Sequence, residues 1–224
     1  MKMNKQKVLV ISLAVCLIAI LSLGSLAWFS DSDTVTNTFM MADSTEDPDK
    51  LFSVNIYETK LDENGNLTTE ITGDGEGNTY KAILPGATLS KDPTVKNTGK
   101  YDQWVRIKVT LTNASVWQKA LAAHNITDLA TIFGGYEDTA WTRGETIEDT
   151  KADTLTYVYY FNYRLVPEQT AILFTSITIP KELTREDMIF TGGKFDLSVK
   201  AEAIQADNTG DTAIAAFENC WKDS

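Results

Sequence analysis

The stretch from Gln103 to Leu111 alternates apolar and polar side chains with a period of two. Successive side chains of a β-strand point to opposite faces of the sheet, so this period predicts a strand with one buried face. The apolar positions are Val105, Ile107, Val109 and Leu111, and the positions between them are Trp104, Arg106, Lys108 and Thr110. A second layer has to cover the apolar face.

Four further segments are strand-like. Leu155 to Leu165 places Tyr157, Tyr159, Phe161 and Tyr163 on one face, and Phe195 to Ala203 alternates apolar residues with Asp, Ser and Lys. Leu51 to Tyr57 has the same period. Ala171 to Ile179 is apolar on both sides, which predicts a central strand.

Turn and helix signals separate these strands. Asp62 to Asn66 contains an Asn-Gly pair, which predicts a hairpin whose second strand is Leu67 to Ile71. Ser115 is the predicted cap of a helix over Val116 to Ala123, and a second short helix is predicted over Leu129 to Phe133.

A third helix is predicted near the end of the chain. Ile214, Phe217 and Trp221 form one apolar stripe at helical spacing. Either Asp211 or Thr212 is expected to cap this helix.

These elements predict an all-β fold, a β-sandwich of jelly-roll or Greek-key type with short helical insertions and a short C-terminal helix. A signal-peptide helix is expected to precede it.

The first 27 residues have the pattern of an export signal. Lys2, Lys5 and Lys7 form a basic region, and an apolar run extends from Val8 to Leu23. Ser25 and Ala27 supply the small residues of a cleavage site before Trp28. The alternative is an uncleaved anchor, which needs about 20 apolar residues. We therefore expect a signal peptide at 1–27, an N-terminal extension at 28–50 and the sandwich at 51–224.

Charge and cysteine content restrict the function of the mature chain. After removal of 1–27, 17 basic and 31 acidic residues remain, a net charge of about −14. Such a surface repels nucleic acid, so no nucleic-acid partner is expected. Cys220 is then the single cysteine, which excludes an internal disulfide. Its two open interpretations are packing beside the apolar helix face and pairing between chains.

The sequence carries no recognisable catalytic, cofactor or metal motif. His124 is the single histidine, whereas zinc hydrolases need several ligands as in H-E-x-x-H. A zinc set of His124, Cys220 and carboxylates stays open as an alternative. Asp62-x-Asn64-x-Asn66 begins like a calcium loop, but Leu67 and Gly73 stand where an EF-hand has Gly and Glu.

Exposed aromatic rows are typical of carbohydrate-binding proteins. Trp104, Tyr157, Tyr159 and Tyr163 would form such a platform if they shared an exposed face. Core packing is the favoured interpretation of these aromatic residues in a β-sandwich. A sugar-binding or host-binding adhesin remains an alternative function.

Three blocks of the sequence resemble one family. They are residues 26–39 (LAWFSDSDTVTNTF), Pro85-Gly86 with Val95-x-Asn97-x-Gly99 and the strand from Trp104, and residues 201–207 (AEAIQAD) with Trp221. In this order the blocks are similar to the TasA, CalY and camelysin family, which carries SipW-type signal peptides in Gram-positive bacteria. Residues 115–151 contain no such block.

The resemblance implies a secreted jelly-roll protein of the extracellular matrix or cell surface that assembles into biofilm fibres. Its implied partners are further copies of itself arranged head to tail, a SipW-type signal peptidase, and an accessory anchoring or nucleating protein. Camelysin was described as a metalloprotease, which makes that activity an alternative. Because His124 stands alone, we expect a protein that is not an enzyme.

The resemblance also implies assembly by donor-strand exchange through the mature N-terminal segment, here Thr34, Val35, Thr36, Asn37, Thr38 and Phe39. An exposed sheet edge has unpaired backbone groups that such a strand satisfies, and a head-to-tail contact yields filaments. In the expected strand, Val35, Asn37 and Phe39 share one face. The alternative is that this segment is the first strand of its own domain.

Overall fold

The computed structural model describes residues 30–32, 51–73, 75–81, 83–190 and 196–220. Strands make up 40% of the structure and helices 15%, which confirms the all-β prediction. The strands are β1 Ser30–Ser32, β2 Val54–Tyr57, β3 Thr59–Leu61, β4 Leu67–Ile71, β5 Thr88–Ser90, β6 Thr94–Asn97, β7 Gln103–Thr112, β8 Phe133–Gly134, β9 Trp141–Asp149, β10 Thr154–Phe161, β11 Thr170–Ile172, β12 Ser176–Thr178 and β13 Leu197–Gln205. The helices are α1 Ala114–Ala122, a 3-10 helix Leu129–Ile132, α2 Arg185–Phe190 and α3 Ala213–Cys220.

The strands form antiparallel sheets. The largest has the order β1-β13-β7-β10-β9, and two three-stranded sheets have the orders β11-β6-β2 and β5-β12-β8. Strands β3 and β4 form a separate hairpin. The sandwich class is therefore confirmed, and the jelly-roll connectivity stays a prediction. The expected signal peptide at 1–27 lies outside the described residues.

The main core lies between the large sheet and the smaller ones. Val105, Ile107, Val109 and Leu111 all point into it from β7, as their alternation predicts. Val95 of β6 and Ile177 of β12 join the same cluster from the other side. The period of two thus identified the correct inner face of the central strand.

A second apolar cluster covers part of the opposite face of the large sheet. Trp104 of β7 and Ile204 of β13 are buried there beneath Phe217 of α3. The expectation of one buried face is therefore wrong for the first half of β7, because α3 packs on its outer side. Within α3, Phe217 is buried while Ile214 is 36% exposed. Trp221 of the predicted stripe lies outside the described residues.

The predicted central strand from Ala171 to Ile179 is wrong. This stretch forms two short strands in different sheets, since β11 pairs with β6 while β12 pairs with β5 and β8. Leu173 and Phe174 lie between the two strands and both are buried. The stretch is apolar on both sides because it crosses from one sheet to the other through the core.

The helix caps differ in part from the predictions. Helix α1 begins after Asn113, a left-handed residue with φ 54°, and not after Ser115. The backbone N–H of Ser115 instead donates to the carboxylate of Asp153 from a neighbouring loop. At α3 the Thr212 hydroxyl accepts from the backbone N–H of Ala215, so Thr212 is a cap as predicted.

The predicted hairpin around Asn64-Gly65 is confirmed. Strands β3 and β4 pair, and Gly65 has a φ of 81° that favours glycine. The Asp62 carboxylate accepts from the backbone N–H groups of Asn64 at 2.8 Å and Asn66 at 2.9 Å. These hydrogen bonds hold the pKa of Asp62 below its usual range. The Asp62-x-Asn64-x-Asn66 spacing that resembles a calcium loop therefore stabilises the hairpin turn.

The Val-x-Asn-x-Gly block forms a tight junction where β6 leads into β7. The buried Asn97 side chain donates to the carbonyl oxygens of Tyr101 and Leu165 and accepts from the N–H of Gly99. A Cβ on Gly99 would lie 2.8 Å from the backbone nitrogen of Ser53 and 3.0 Å from the carbonyl oxygen of Leu51. Only glycine lets the two backbones approach this closely.

We expect Gly99→Ala to lower the free energy of unfolding by about 1–3 kcal/mol, because the added methyl overpacks a backbone contact. Gly77→Ala is the matched control, since a Cβ there meets nothing within 4 Å. Its effect should stay within about 0.5 kcal/mol. Urea denaturation of both variants measures the difference, and equal effects would contradict the role assigned to Gly99.

Candidate assembly edge

The predicted processing and donor residues lie on both sides of a short described strand. Ser25, Ala27 and Trp28 of the cleavage site and Thr34 to Phe39 of the donor segment are outside the described residues. Between them, β1 pairs antiparallel with β13, with Ser30 opposite Ile204, Asp31 opposite Ala203 and Ser32 opposite Glu202. The chain therefore adds its own N-terminal residues to the edge of its large sheet.

The rest of the β13 edge extends beyond this short strand. Strand β13 pairs along its whole length with β7 on one side, and on the other the described residues of β1 face residues 202–204. Within the part of the chain that the structure describes, no strand pairs with the remaining edge from Leu197 to Ala201. Backbone N–H and C=O groups on such an edge favour pairing with a further strand.

The side chains of this edge alternate in character. Ala201 is fully buried in the main core, and Leu197 and Val199 pack against it while half-buried. On the other side Ser198 is exposed, and the Lys200 side chain is 32% exposed. An added strand with one apolar and one polar face would match this pattern.

The opposite edge of the sheet is less suited to strand addition. Strand β9 carries the charged residues Arg143, Glu145, Glu148 and Asp149, and most of its length is exposed. Charged side chains on an edge strand disfavour edge-to-edge pairing. Of the two edges of the large sheet, β13 is therefore the better acceptor.

A buried ionic cluster fixes β13 to the centre of the sheet. Glu202 lies opposite Arg106 of β7, and the Arg106 Nε atom donates to its Oε2 atom at 2.6 Å. Lys108 and Lys200 approach the same carboxylate at 3.4 Å and 3.1 Å. Burial by itself raises the pKa of Glu202, but the charges of Arg106 and Lys108 outweigh it and leave the pKa lowered.

The guanidinium of Arg106 is further enclosed by α3. Its carbon Cζ lies 4.4 Å from the centre of the Phe217 ring, a cation–π distance. Arg106 and Glu202 are 2% and 3% exposed. Helix α3, β7 and β13 are thus joined at the level of Ser32, the last described residue of β1, which lies opposite Glu202.

His124 has a structural partner. Its Nε2 atom lies 2.9 Å from Oδ2 of Asp187, which joins the end of α1 to the start of α2. The same carboxylate accepts from the backbone and side chain of Thr184, as an N-terminal helix box does. These Thr184 contacts and His124 lower the pKa of Asp187 to about 2. Among the described residues, no group of three or more His, Cys, Asp or Glu side chains is placed to hold a metal ion.

The aromatic residues do not form a common platform. Tyr157 and Tyr159 are buried in the main core, whereas Trp104 is buried on the opposite face of the sheet. Tyr163 alone is well exposed, at 57%. Core packing, the favoured interpretation, is confirmed for the three buried rings.

Cys220 also has a packing role. It is half-buried against the cluster beneath α3, and burial raises the pKa of its thiol.

One polar cluster was not anticipated from the sequence. Arg143 donates to both carboxylate oxygens of Asp128, and its Cζ atom lies 4.7 Å from the centre of the Tyr157 ring. Burial and the Asp128 charge raise the pKa of Tyr157 to about 12. The cluster attaches β9 to the 3-10 helix, which Asp128 also caps. Because these residues come from separate elements, no local spacing could have indicated the contact.

Comparisons with known proteins add no identification. No protein-family model matches the chain, and neither a curated protein nor a solved structure matches it significantly. Within the described residues, no helix is long and apolar enough to cross a bilayer.

We expect Glu202→Gln to lower the free energy of unfolding by about 3–5 kcal/mol, because it leaves Arg106 buried without a countercharge. Glu70→Gln is the control, since Glu70 is exposed and lies 3.7 Å from Lys60. Its cost should be below about 1 kcal/mol. Chemical denaturation at neutral pH compares the two variants. Similar midpoints would show that the Glu202 cluster contributes little to the free energy of unfolding.

The lowered pKa of Asp187 predicts that the free energy of unfolding depends on pH. Its folded pKa of about 2 is below the unfolded value, so its contribution is full above the unfolded pKa and is lost as the pH falls towards 2. Asp187→Asn should therefore lose less stability than the wild type between about pH 5 and pH 2. Urea midpoints across this range test it, with Glu63→Gln as the control for removal of one exposed carboxylate. Parallel curves for wild type and Asp187→Asn would exclude the effect.

Proposed function

We propose that this chain is a secreted structural subunit of extracellular biofilm-matrix or surface fibres. Subunits join head to tail by donor-strand complementation, with Thr34 to Phe39 of one copy adding to a sheet of the next. A SipW-type signal peptidase releases the segment by cleavage at Ala27, and an accessory protein anchors or nucleates the fibre. The three sequence blocks similar to the TasA, CalY and camelysin family support this function.

The single observation that carries the proposal is the edge of β13. This edge accepts a strand from the N-terminal region at residues 202–204 and continues past it over Leu197 to Ala201. The donor segment follows β1 directly in the sequence. Its Val35, Asn37 and Phe39 share one face, in keeping with the half-buried Leu197 and Val199 of the edge.

The physical basis of assembly is satisfaction of backbone groups. A strand from a neighbouring copy pairs with the edge N–H and C=O groups, and the alternating side chains set its register. The contact joins two different surfaces, so a joined pair of subunits keeps one free donor at one end and one free acceptor at the other. Repetition of that contact gives an open filament.

We also propose a structural role and no catalysis. The polar groups that first suggested chemistry are engaged in holding the fold. His124 joins two helices through Asp187, and Asp62 forms a hairpin turn. The expected partner is therefore another copy of the chain. The net charge of about −14 on the mature chain disfavours a nucleic-acid partner.

Electron microscopy and sedimentation of purified protein beginning at Trp28 test this function. The wild-type chain should form fibres, and Val35→Asp/Phe39→Asp should reduce the sedimenting fraction by at least about tenfold, because the buried face would carry unpaired charges. Thr34→Asp/Thr38→Asp is the matched control, since it adds the same charge to the opposite face and should retain fibres. A wild-type chain that stays monomeric over a range of concentration, pH and salt would overturn the proposal.

A further inference from the structure

We propose that the buried Lys91 forms an amide bond with the side chain of Asn78, and that Glu58 moves the protons of this reaction. The bond is a covalent link within one chain that uses no cysteine. The inference goes beyond the fibre function and does not depend on it.

Lys91 is a nucleophile that is shielded from water. It directly follows β5, and its side chain is 6% exposed. Its Nζ atom donates to Oε1 of Glu58, which lies between β2 and β3 and whose side chain is 9% exposed. A desolvated lysine amine attacks carbonyl carbons once it has lost its proton, and a carboxylate in contact with Nζ is placed to take that proton. The pair therefore provides an amine nucleophile together with its base.

The carboxamide of Asn78 contacts the other oxygen of the same carboxylate. Its Nδ2 atom donates to Oε2 of Glu58 at 3.3 Å and to the carbonyl oxygen of Thr59 at 2.8 Å. Its Oδ1 atom accepts from the backbone N–H of Leu61 at 3.0 Å. This N–H is directed at the oxygen that gains negative charge when an amine attacks the carboxamide carbon. Glu58 thus contacts both the attacking and the departing nitrogen, while Leu61 polarises the carbonyl group.

Neighbouring hydrogen bonds hold the three reacting segments together. Asp92, the residue after the lysine, accepts through its carboxylate from the backbone N–H of Thr59, the residue after the glutamate, at 2.9 Å. The Tyr80 hydroxyl, two residues after the asparagine, donates to the carbonyl oxygen of Ser90 at 2.6 Å. Because the fold already brings these segments together, the reaction does not have to supply the entropy cost of joining separate groups.

The reaction replaces ammonia by the lysine amine at the Asn78 carbon. Glu58 takes a proton from the Lys91 ammonium, and the neutral Nζ attacks Cγ of Asn78 to form the new C–N bond. Nζ then gives up a second proton, the bond between Cγ and Nδ2 breaks, and the departing nitrogen leaves as ammonium with both protons. Glu58 ends as the carboxylate that it was at the start, and no oxidant or cofactor is consumed. Asn78 is half-buried, which gives the ammonium a route to solvent.

The product is a covalent ring over residues 78–91. It fixes the segment before β5 to the end of β5. Outside the expected signal peptide, Cys220 is the single cysteine, so an internal disulfide does not supply such a link. An amide bond also resists reductants and denaturants. The reaction occurs once in each chain, which agrees with a structural protein that performs no turnover.

Mass spectrometry of the denatured full chain tests the bond. The wild-type mass should be lower than the mass of the sequence by one ammonia molecule. Trypsin should fail to cut at the linked Lys91 and should release a branched peptide in which residues 61–81 are joined to residues 82–96. Fragmentation of this peptide should place the link between Lys91 and Asn78.

Substitution of the nucleophile provides a matched pair of variants. Lys91→Arg keeps a positive charge beside Glu58, but the guanidinium does not form the amide, so this variant should have the full mass of its sequence. Lys96→Arg is the control, since Lys96 is half-exposed and lies 2.7 Å from Glu168. It should lose one ammonia molecule as the wild type does.

Substitution of the base tests the proton transfer. Glu58→Gln has nearly the same size but accepts no proton, so the fraction of branched peptide should fall by at least about tenfold. A circular dichroism spectrum equal to that of the wild type shows that the variant is folded. The wild-type yield of branched peptide in this folded variant would overturn the role of Glu58.

Three results for the wild-type chain overturn the bond. A full mass with normal cleavage at Lys91 shows that Lys91 and Glu58 form only a buried ion pair. Loss of one water molecule with a link between Lys91 and Glu58 shows that the glutamate is the acyl partner. Loss of ammonia without a branched peptide shows ring closure within an asparagine, as an Asn64-Gly65 pair allows. None of these results bears on fibre formation, which electron microscopy decides separately.

Discussion

The pairing of Glu202 with Arg106 determines how the outer strand of the large sheet is held. Both side chains are almost completely buried, and Lys108 and Lys200 approach the same carboxylate from the sides. A buried ion pair of this kind adds little net stability over an apolar pair, but removal of either partner is costly. The main effect of this ion pair is therefore to fix the relative position of the two strands. It fixes the register of β13 against β7 and places Phe217 of α3 over the same site. The edge that β13 offers is consequently held in register on its inner side, while on its outer side the described residues of β1 pair with residues 202–204.

The pairing of β1 with β13 bears on the two interpretations of the N-terminal segment that the sequence leaves open. The segment was expected either to complete a neighbouring subunit or to serve as the first strand of its own domain. Pairing of Ser30–Ser32 with β13 shows that the chain uses its own edge at least in part. A strand that pairs within its own domain can exchange with an identical strand, because the same contacts form in both states. Under the proposed function, the two interpretations describe a monomer and a polymer that use one edge.

Local pattern was sufficient for the elements with one clear buried face, and it failed where burial came from distant parts of the chain. Strand β7 and the β3–β4 hairpin follow from alternation and an Asn-Gly turn. Strand β9 was missed because it is an edge strand whose exposed side chains carry no apolar period. The stretch from Ala171 to Ile179 was read as one strand because a segment crossing the core is apolar on every side. Arg106 and Glu202 are 96 residues apart, so their contact depends on a strand register that no local spacing specifies. The donor residues Thr34 to Phe39 lie outside the described residues, and their role rests on the family resemblance and on the edge beside them.

Strand exchange by itself gives no net gain in pairing energy. In the proposed fibre, a strand that leaves the β13 edge of its own copy for that of a neighbour makes the same backbone contacts in both states. The balance between monomer and fibre is then set by subunit concentration and by contacts between adjacent sandwiches. Fibre growth of this kind therefore depends on how crowded the subunits are, because the strand contact alone favours neither state.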